Sequence, residues 1–227
     1  DWVEAELKLV KKSGAEIVVY ADRRYPGLLK EIGWPPPLLY GLGDIEFLGR
    51  RTVAVVGTRR PTHYGVRMAE TISRELSLNG ITVVSGLARG CDSAAHRGAL
   101  EGPGRTIAVL GTGIDIIYPA ENKRLYSDIS AKGVLVTEFP VSTPPAVYTF
   151  PQRNRIISGL SKGVVVVEAP LRSGALMTAN LALDFGRDVM AVPGPSTSLK
   201  SKGANKLIKD GACLVEDARD VMDALGL

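Results

Sequence analysis

Glycine, small hydroxyl residues and arginine recur along the chain in short segments able to hold an anion: Gly57-Thr58-Arg59-Arg60-Pro61, Gly86-Leu87-Ala88-Arg89-Gly90, Gly111-Thr112-Gly113, Ala169-Pro170-Leu171-Arg172-Ser173-Gly174 and Pro193-Gly194-Pro195-Ser196, with Phe139-Pro140 at a sixth comparable place. Glycine lets a backbone approach a phosphate closely, and arginine offers planar, paired donors to its oxygens. Any one segment can be no more than a turn between strand and helix. Brought to one side of a sheet, they would form an anion-binding rim. The run Phe150-Pro151-Gln152-Arg153-Asn154-Arg155-Ile156 carries a second signal. Its arginines fall where a first helical turn is expected, and a helix dipole does not favour cations there. Phe150 can stack on a nucleobase beside them, the means by which single strands are held without sequence readout, or it can fill the core.

Other chemistries lack their residues. A nicotinamide site needs G-x-G-x-x-G after its first strand, and here two arginines follow Gly57-Thr58 instead. Neither G-x-x-x-x-G-K-[ST] nor G-x-S-x-G is present, and two histidines give little basis for a triad. Cys91 and Cys213 show no metal-ligand spacing, so neither metal nor cofactor is expected, and Cys91 reads as a packing residue. His96 reads as a packed or capping histidine. Glu138 and Glu168 end apolar runs and can orient arginines; as a catalytic pair they would have to stand about 5–10 Å apart.

The elements that must position these residues begin at residue 52. Seven short β-branched runs, Thr52–Val56, Thr82–Ser85, Thr106–Leu110, Val134–Glu138, Val164–Glu168, Asp188–Val192 and Cys213–Val215, alternate with segments of helical period at Gly65–Asn79, Asp92–Leu100, Asn122–Lys132, Leu176–Phe185 and Ala204–Lys209. Runs as apolar as Val164–Val167 are those of strands buried on both faces. The pattern predicts an α/β fold, an extended Rossmann-like, mostly parallel sheet with helices on both faces. Strand C-termini then share one side, where ligands bind near helix N-termini. Residues 1–50 read as a small N-terminal extension packed on the core of 51–227, with a helix near Trp2–Lys12, a strand at Ile17–Tyr20 and a Pro-rich connection at Trp34-Pro35-Pro36-Pro37.

The 227 residues carry a formal charge of +4, which allows an anionic partner without requiring one. No apolar run approaches the roughly 20 residues of a membrane span, so no membrane association is expected. Two distant cysteines fit a reduced, cytoplasmic protein. The start at Asp1 rather than methionine fits a trimmed chain.

The runs VVGTRRPTHYG (Val55–Gly65), SGLARGCDSAAHRGAL (Ser85–Leu100), TIAVLGTGIDIIYPAEN (Thr106–Asn122), FPQRNRIISGLS (Phe150–Ser161), SGALMTA (Ser173–Ala179), AVPG (Ala191–Gly194) and GANKLIKDGA (Gly203–Ala212) strongly resemble the DprA/Smf family of bacterial DNA-processing proteins. The resemblance implies a Rossmann-like homodimer that binds single-stranded DNA and delivers it to the RecA recombinase during natural transformation, without catalytic residues. Family DNA contacts carry over most directly to Arg59, then to Arg60, Phe150, Arg153, Asn154 and Arg155. Gly57, Thr58, Ser85, Gly86, Arg89, Gly111, Ser173 and Gly174 complete the expected surface. A basic residue frequent in the family before the FPxRNR run is absent from Val141–Tyr148. Family members often add a small helical domain before this core and a winged-helix-like domain after it, and neither is recognisable here as a complete unit. The resemblance also implies a dimer interface near Asn205–Leu214, with Leu207, Ile208 and Leu214; equally, Leu207 and Ile208 can pack on the sheet. The alternative is a nucleotide-binding or nucleotide-hydrolysing Rossmann-like enzyme, since Ser173–Thr178 stands where related phosphoribohydrolases carry a phosphate loop. The carboxylate expected just beyond it is missing, because Ala179-Asn180-Leu181-Ala182 follow.

Overall fold

A computed structural model describes residues 1–227. Nine strands form one sheet: β1 (Glu16–Val19), β2 (Leu38–Gly43), β3 (Thr52–Val56), β4 (Thr82–Ser85), β5 (Thr106–Val109), β6 (Val134–Thr137), β7 (Gly163–Val166), β8 (Asp188–Ala191) and β9 (Cys213–Leu214). Their spatial order is β1-β2-β6-β5-β4-β3-β7-β8-β9. From β6 to β9 every pairing is parallel, and β1 and β2 join antiparallel beside β6. The extension therefore lengthens the sheet by two strands. Only one is legible in the sequence, because β2 (LLYGLG) follows a proline run and contains two glycines.

Alternation along the strands divides the core. Val53 and Val55 of β3 face the helices α3 (His63–Leu78), α4 (Cys91–Ala99) and α9 (Ala218–Leu225). Ala54 and Val56 face α2 (Gly27–Lys30), α6 (Thr149–Leu160), α7 (Gly174–Asp184) and α8 (Lys202–Lys209). Helices α1 (Trp2–Ser13) and α5 (Lys123–Lys132) bury Val10, Leu125, Tyr126 and Ile129 against the β5–β6–β2 end. No helix is long and apolar enough to cross a membrane. Cys91 is fully buried and Cys213 exposed, both free.

The chain winds from β3 outward through β4, β5 and β6, then returns to lay β7 on the other side of β3. This reversal opens a crevice at the C-terminal ends of β3 and β7, the place where open α/β sheets take ligands.

His96 is buried on α4. Its Nε2 accepts from the Leu87 N–H (3.2 Å) and its Nδ1 meets the Thr106 hydroxyl (2.7 Å), which itself donates to the Val83 carbonyl. The ring is therefore the neutral tautomer protonated at Nδ1. Burial, with help from the Arg153 and Arg97 charges, lowers its pKa to about 3. An exposed imidazole titrates near ~6.5, so on acidification the unfolded chain takes up the proton first. The stability involved is intact above about pH 6.5 and falls as pH drops, by about 2–3 kcal/mol at about pH 4.5. We expect thermal melting of His96→Gln to lose less on going from neutral pH to about 4.5 than melting of the parent chain. Equal losses would place the acid sensitivity elsewhere.

Candidate functional site

The crevice is a groove of about 730 Å³, lined by the loops after β3 and β7 and by the N-terminal half of α6. Glu168 ties the two loops together. Its backbone carbonyl accepts from Thr58 N–H (2.7 Å), and its carboxylate accepts from Thr62 at both the backbone N–H (2.8 Å) and the hydroxyl (2.7 Å). Thr62 then caps α3 by accepting from Gly65 N–H. The loop carrying Gly57, Thr58, Arg59 and Arg60 is thus set by a buried carboxylate that orients backbone, not an arginine.

Beneath the rim lies Arg153. The sequence places it among the exposed arginines, but the structure leaves it only 4% exposed. Its Nη1 donates to the carbonyls of Gly86 (2.6 Å) and Val109, at the ends of β4 and β5. A side chain on Gly86 would collide with this guanidinium, its Cβ lying 2.6 Å from Nη1, so glycine is required there. Burial lowers the Arg153 pKa to about 10, which still leaves it charged at neutral pH. No carboxylate lies within salt-bridge distance. Asp92, also buried, accepts from the N–H groups of Gly86 (3.2 Å) and Ala88 (3.4 Å), and burial raises its pKa.

At the rim, Arg59, Arg60 and Arg172 line the groove, are exposed, and form no salt bridge. The Arg59 guanidinium stands 5.5 Å from the centre of the Phe150 ring. Phe150 is half-buried over Gly111, whose absent side chain makes room: a Cβ there would lie 2.6 Å from the ring. On its other flank Phe150 meets Tyr118, with ring centres 5.4 Å apart and planes 35° from parallel. Tyr118, 43% exposed, extends the aromatic corner into the groove.

The remaining expected contacts divide by what already occupies them. The Ser85 hydroxyl is buried and donates to the Val55 carbonyl, while Gly86 and Gly111 are covered by Arg153 and Phe150. None of the three offers surface to a ligand. Arg155 is paired with Glu138, both largely buried. Arg89 is exposed but paired with Glu121, with Nη2 to Oε2 at 3.1 Å. Asn154 is nearly buried and reaches only the Gly174 carbonyl, at 3.5 Å. Ser173 caps α7, and exposed Gly174 opens that helix into the groove. The sequence picks out neither Tyr118 nor Arg172 as a site residue. The signal was there: each sits in a loop directly after a strand, on the side where all such loops converge. Farther round, Leu207 is buried in the core and Ile208 packs partly on it, whereas Leu214 on the edge strand β9 is 45% exposed.

Comparison with known proteins agrees with this architecture. The family model for DNA recombination-mediator protein A matches residues 16–226. Protein Smf of Synechocystis sp. is 46% identical over 209 residues, 90% of this chain and 52% of its own length. DNA processing protein DprA of Bacillus subtilis is 40% identical over 220 residues, 96% of this chain and 74% of its own. The chain thus spans about half of the Synechocystis relative and 60% of the Escherichia coli Smf protein. The X-ray structure of DprA from Streptococcus pneumoniae superposes with a TM-score of 0.90 at 40% identity, covering 97% of this chain and 77% of that one. DNA processing protein A from Helicobacter pylori, described for its single-stranded DNA binding mode, superposes at 0.85 with 30% identity, covering 93% of this chain and 95% of that one. The molybdenum cofactor binding protein of Rippkaea orientalis shares the fold alone, at 16% identity and a TM-score of 0.55. A match over nearly the whole chain, with the strand-end loops intact, makes this chain a member of the DNA recombination-mediator protein A family, the DprA/Smf proteins.

Proposed function

We propose that the groove at the β3–β7 switch point holds single-stranded DNA, and that the chain works as a binding core rather than a catalyst. One observation carries this reading: Arg59, Arg60 and Arg172 ring a groove with an aromatic corner, and none of them has a carboxylate partner. Free guanidinium groups attract phosphates, and exposed ring faces attract unpaired bases. The H. pylori relative is described for that ligand. Asp92 is the sole carboxylate lining the groove, and it is engaged by two backbone N–H groups, which favours binding over hydrolysis.

In this reading the protein holds DNA strands during natural transformation and recombination in the cytoplasm and passes them to a RecA-type recombinase. It does so as a homodimer joined near β9, whose outer edge has no neighbouring strand. Unpaired strand edges invite a second chain, and Leu214 and the outer part of Ile208 lie beside this one. Leu207 belongs to the core instead.

Fluorescence anisotropy with a ~30-nucleotide single strand tests the ligand. Arg59→Ala and Arg60→Ala should each weaken binding by about 1–3 kcal/mol, with melting unchanged, since each removes one exposed charge-assisted contact. Arg153→Ala should behave differently and melt markedly earlier, because two buried carbonyls lose their donor. Binding that is equally strong to duplex, or insensitive to salt, would defeat the proposal.

Light scattering tests the assembly: Leu214→Asp and Ile208→Asp should yield folded monomers that bind DNA more weakly than the parent. A parent chain that stays monomeric at high micromolar concentration would remove this interface.

A further inference from the structure

Beside the groove, and sharing Arg59, Ala88, Tyr118, Phe150 and Arg153 with it, lies a recess of about 40 Å³. Gly111 and Leu110 form its back and Phe150 and Tyr118 its aromatic side. Its volume suits one or two water-sized groups rather than a whole ring.

Arg153 lies at the junction of the recess and the groove, and its three nitrogens are not equivalent. Nη1 holds the Gly86 and Val109 carbonyls, and Nε is sealed in the interior. Nη2 has no partner within the protein and is not among the sealed atoms, so it is the part of the guanidinium that the cavities reach. A cation more than nine-tenths buried, without a carboxylate, thus keeps N–H donors for something that enters from outside. Leaving such donors unsatisfied is costly.

Resting on the proposal that the groove binds single-stranded DNA, we infer that this recess reads one base, and that Arg153 Nη2 selects bases bearing a carbonyl where adenine and cytosine bear an amino group. Aromatic walls favour a base edge over a phosphate, and the recess has room for an edge atom only. Arginine donors pair with the O6 and N7 acceptors of guanine or the O4 of thymine. An adenine N6 amino group in the same position would set donor against donor. Tyr118 and Phe150 hold the ring while Arg153 tests its edge. The H-bond frame from Gly86 and Val109 keeps the guanidinium from turning away from a mismatched base.

The test uses the full chain and twelve-nucleotide single strands in which abasic spacers alternate with one nucleoside, which prevents base–base stacking and self-association. Deoxyadenosine and deoxyinosine strands have identical backbones and differ at C6, amino in one and carbonyl in the other, with the accompanying change at N1. The inosine strand should bind about tenfold tighter than the adenosine strand, the size expected of one hydrogen bond to a charged donor. A deoxythymidine strand should follow inosine. Tyr118→Ala should narrow this difference while retaining binding to the fully abasic strand. Equal affinity for inosine and adenosine, or preference for adenosine, overturns the inference and leaves the groove as a DNA site without it. Equal affinity of all three for the abasic level shows phosphate contacts alone and also overturns it. Retention of no strand at all overturns both this inference and the proposed function.

Discussion

Arg153 brings a full charge into the interior of the sheet's C-terminal side, and a buried ion costs several kcal/mol unless its donors find acceptors. The acceptors it finds are main-chain carbonyls at the ends of two adjacent strands, Gly86 after β4 and Val109 in β5. Such carbonyls would otherwise need water or a helix cap at the point where a parallel strand turns out of the sheet. One side chain from α6 therefore fixes two strand ends and the helix relative to each other. Gly86 must be glycine for the guanidinium to fit, and Asp92 must accept the N–H groups of the same turn. The floor of the groove is set before any ligand arrives.

That arrangement sorts the arginines of the FPQRNR run by depth. On a helix, residues two apart point in different directions, so Arg153 and Arg155 do not share a target. Arg153 goes under β4 and β5, and Arg155 goes to Glu138 at the end of β6. Free charge is supplied instead by the loops after β3 and β7, where Arg59, Arg60 and Arg172 meet no acid. Arg89 stands between these classes: exposed like a rim residue, yet paired with Glu121 across a neighbouring loop. Surface pairs of this kind are worth little in water, about 0–1 kcal/mol. A phosphate can displace Glu121 from Arg89 at correspondingly small cost.

The sheet was legible because its strands are buried on both faces and read as unbroken β-branched runs; all seven from β3 to β9 fall where the sequence places them. What escaped was β2, in which glycines and a preceding proline run hide the pattern, and the short α2. The convergence of glycine and arginine loops on one side was also legible, since it follows from parallel topology. The depth of each side chain was not. Ser85, Arg153 and Arg155 have the residue types of a rim, and only three-dimensional packing shows that their polar atoms are already satisfied inside. Conversely, Tyr118 lies in an ordinary loop, and its importance comes from a neighbour 32 positions later, Phe150. Leu207 and Leu214 differ in the same way: helix α8 buries the first, and the last strand leaves the second outside.

The net charge of +4 gives a poor measure of what the groove can do, because most exposed cations elsewhere are diluted by acids while three free guanidiniums concentrate at the crevice. For single strands, each neutralised phosphate contributes roughly 0.7 to the slope of log affinity against log salt. Three phosphate contacts would therefore give a slope of about −2 for one groove, a contribution that fades at physiological salt. Stacking on Phe150 and Tyr118 adds a part that salt does not screen, roughly 1–3 kcal/mol per base. One groove of this composition is then a moderate binder whose hold on a strand depends on the aromatic corner as salt rises. In the proposed dimer, a strand leaving one groove remains tethered near the second, and the effective concentration of the second site raises avidity without new contacts. The placement of the edge strand β9 and of the groove at the β3–β7 switch point then matters jointly, because avidity is gained only if a single tract of DNA can reach both grooves.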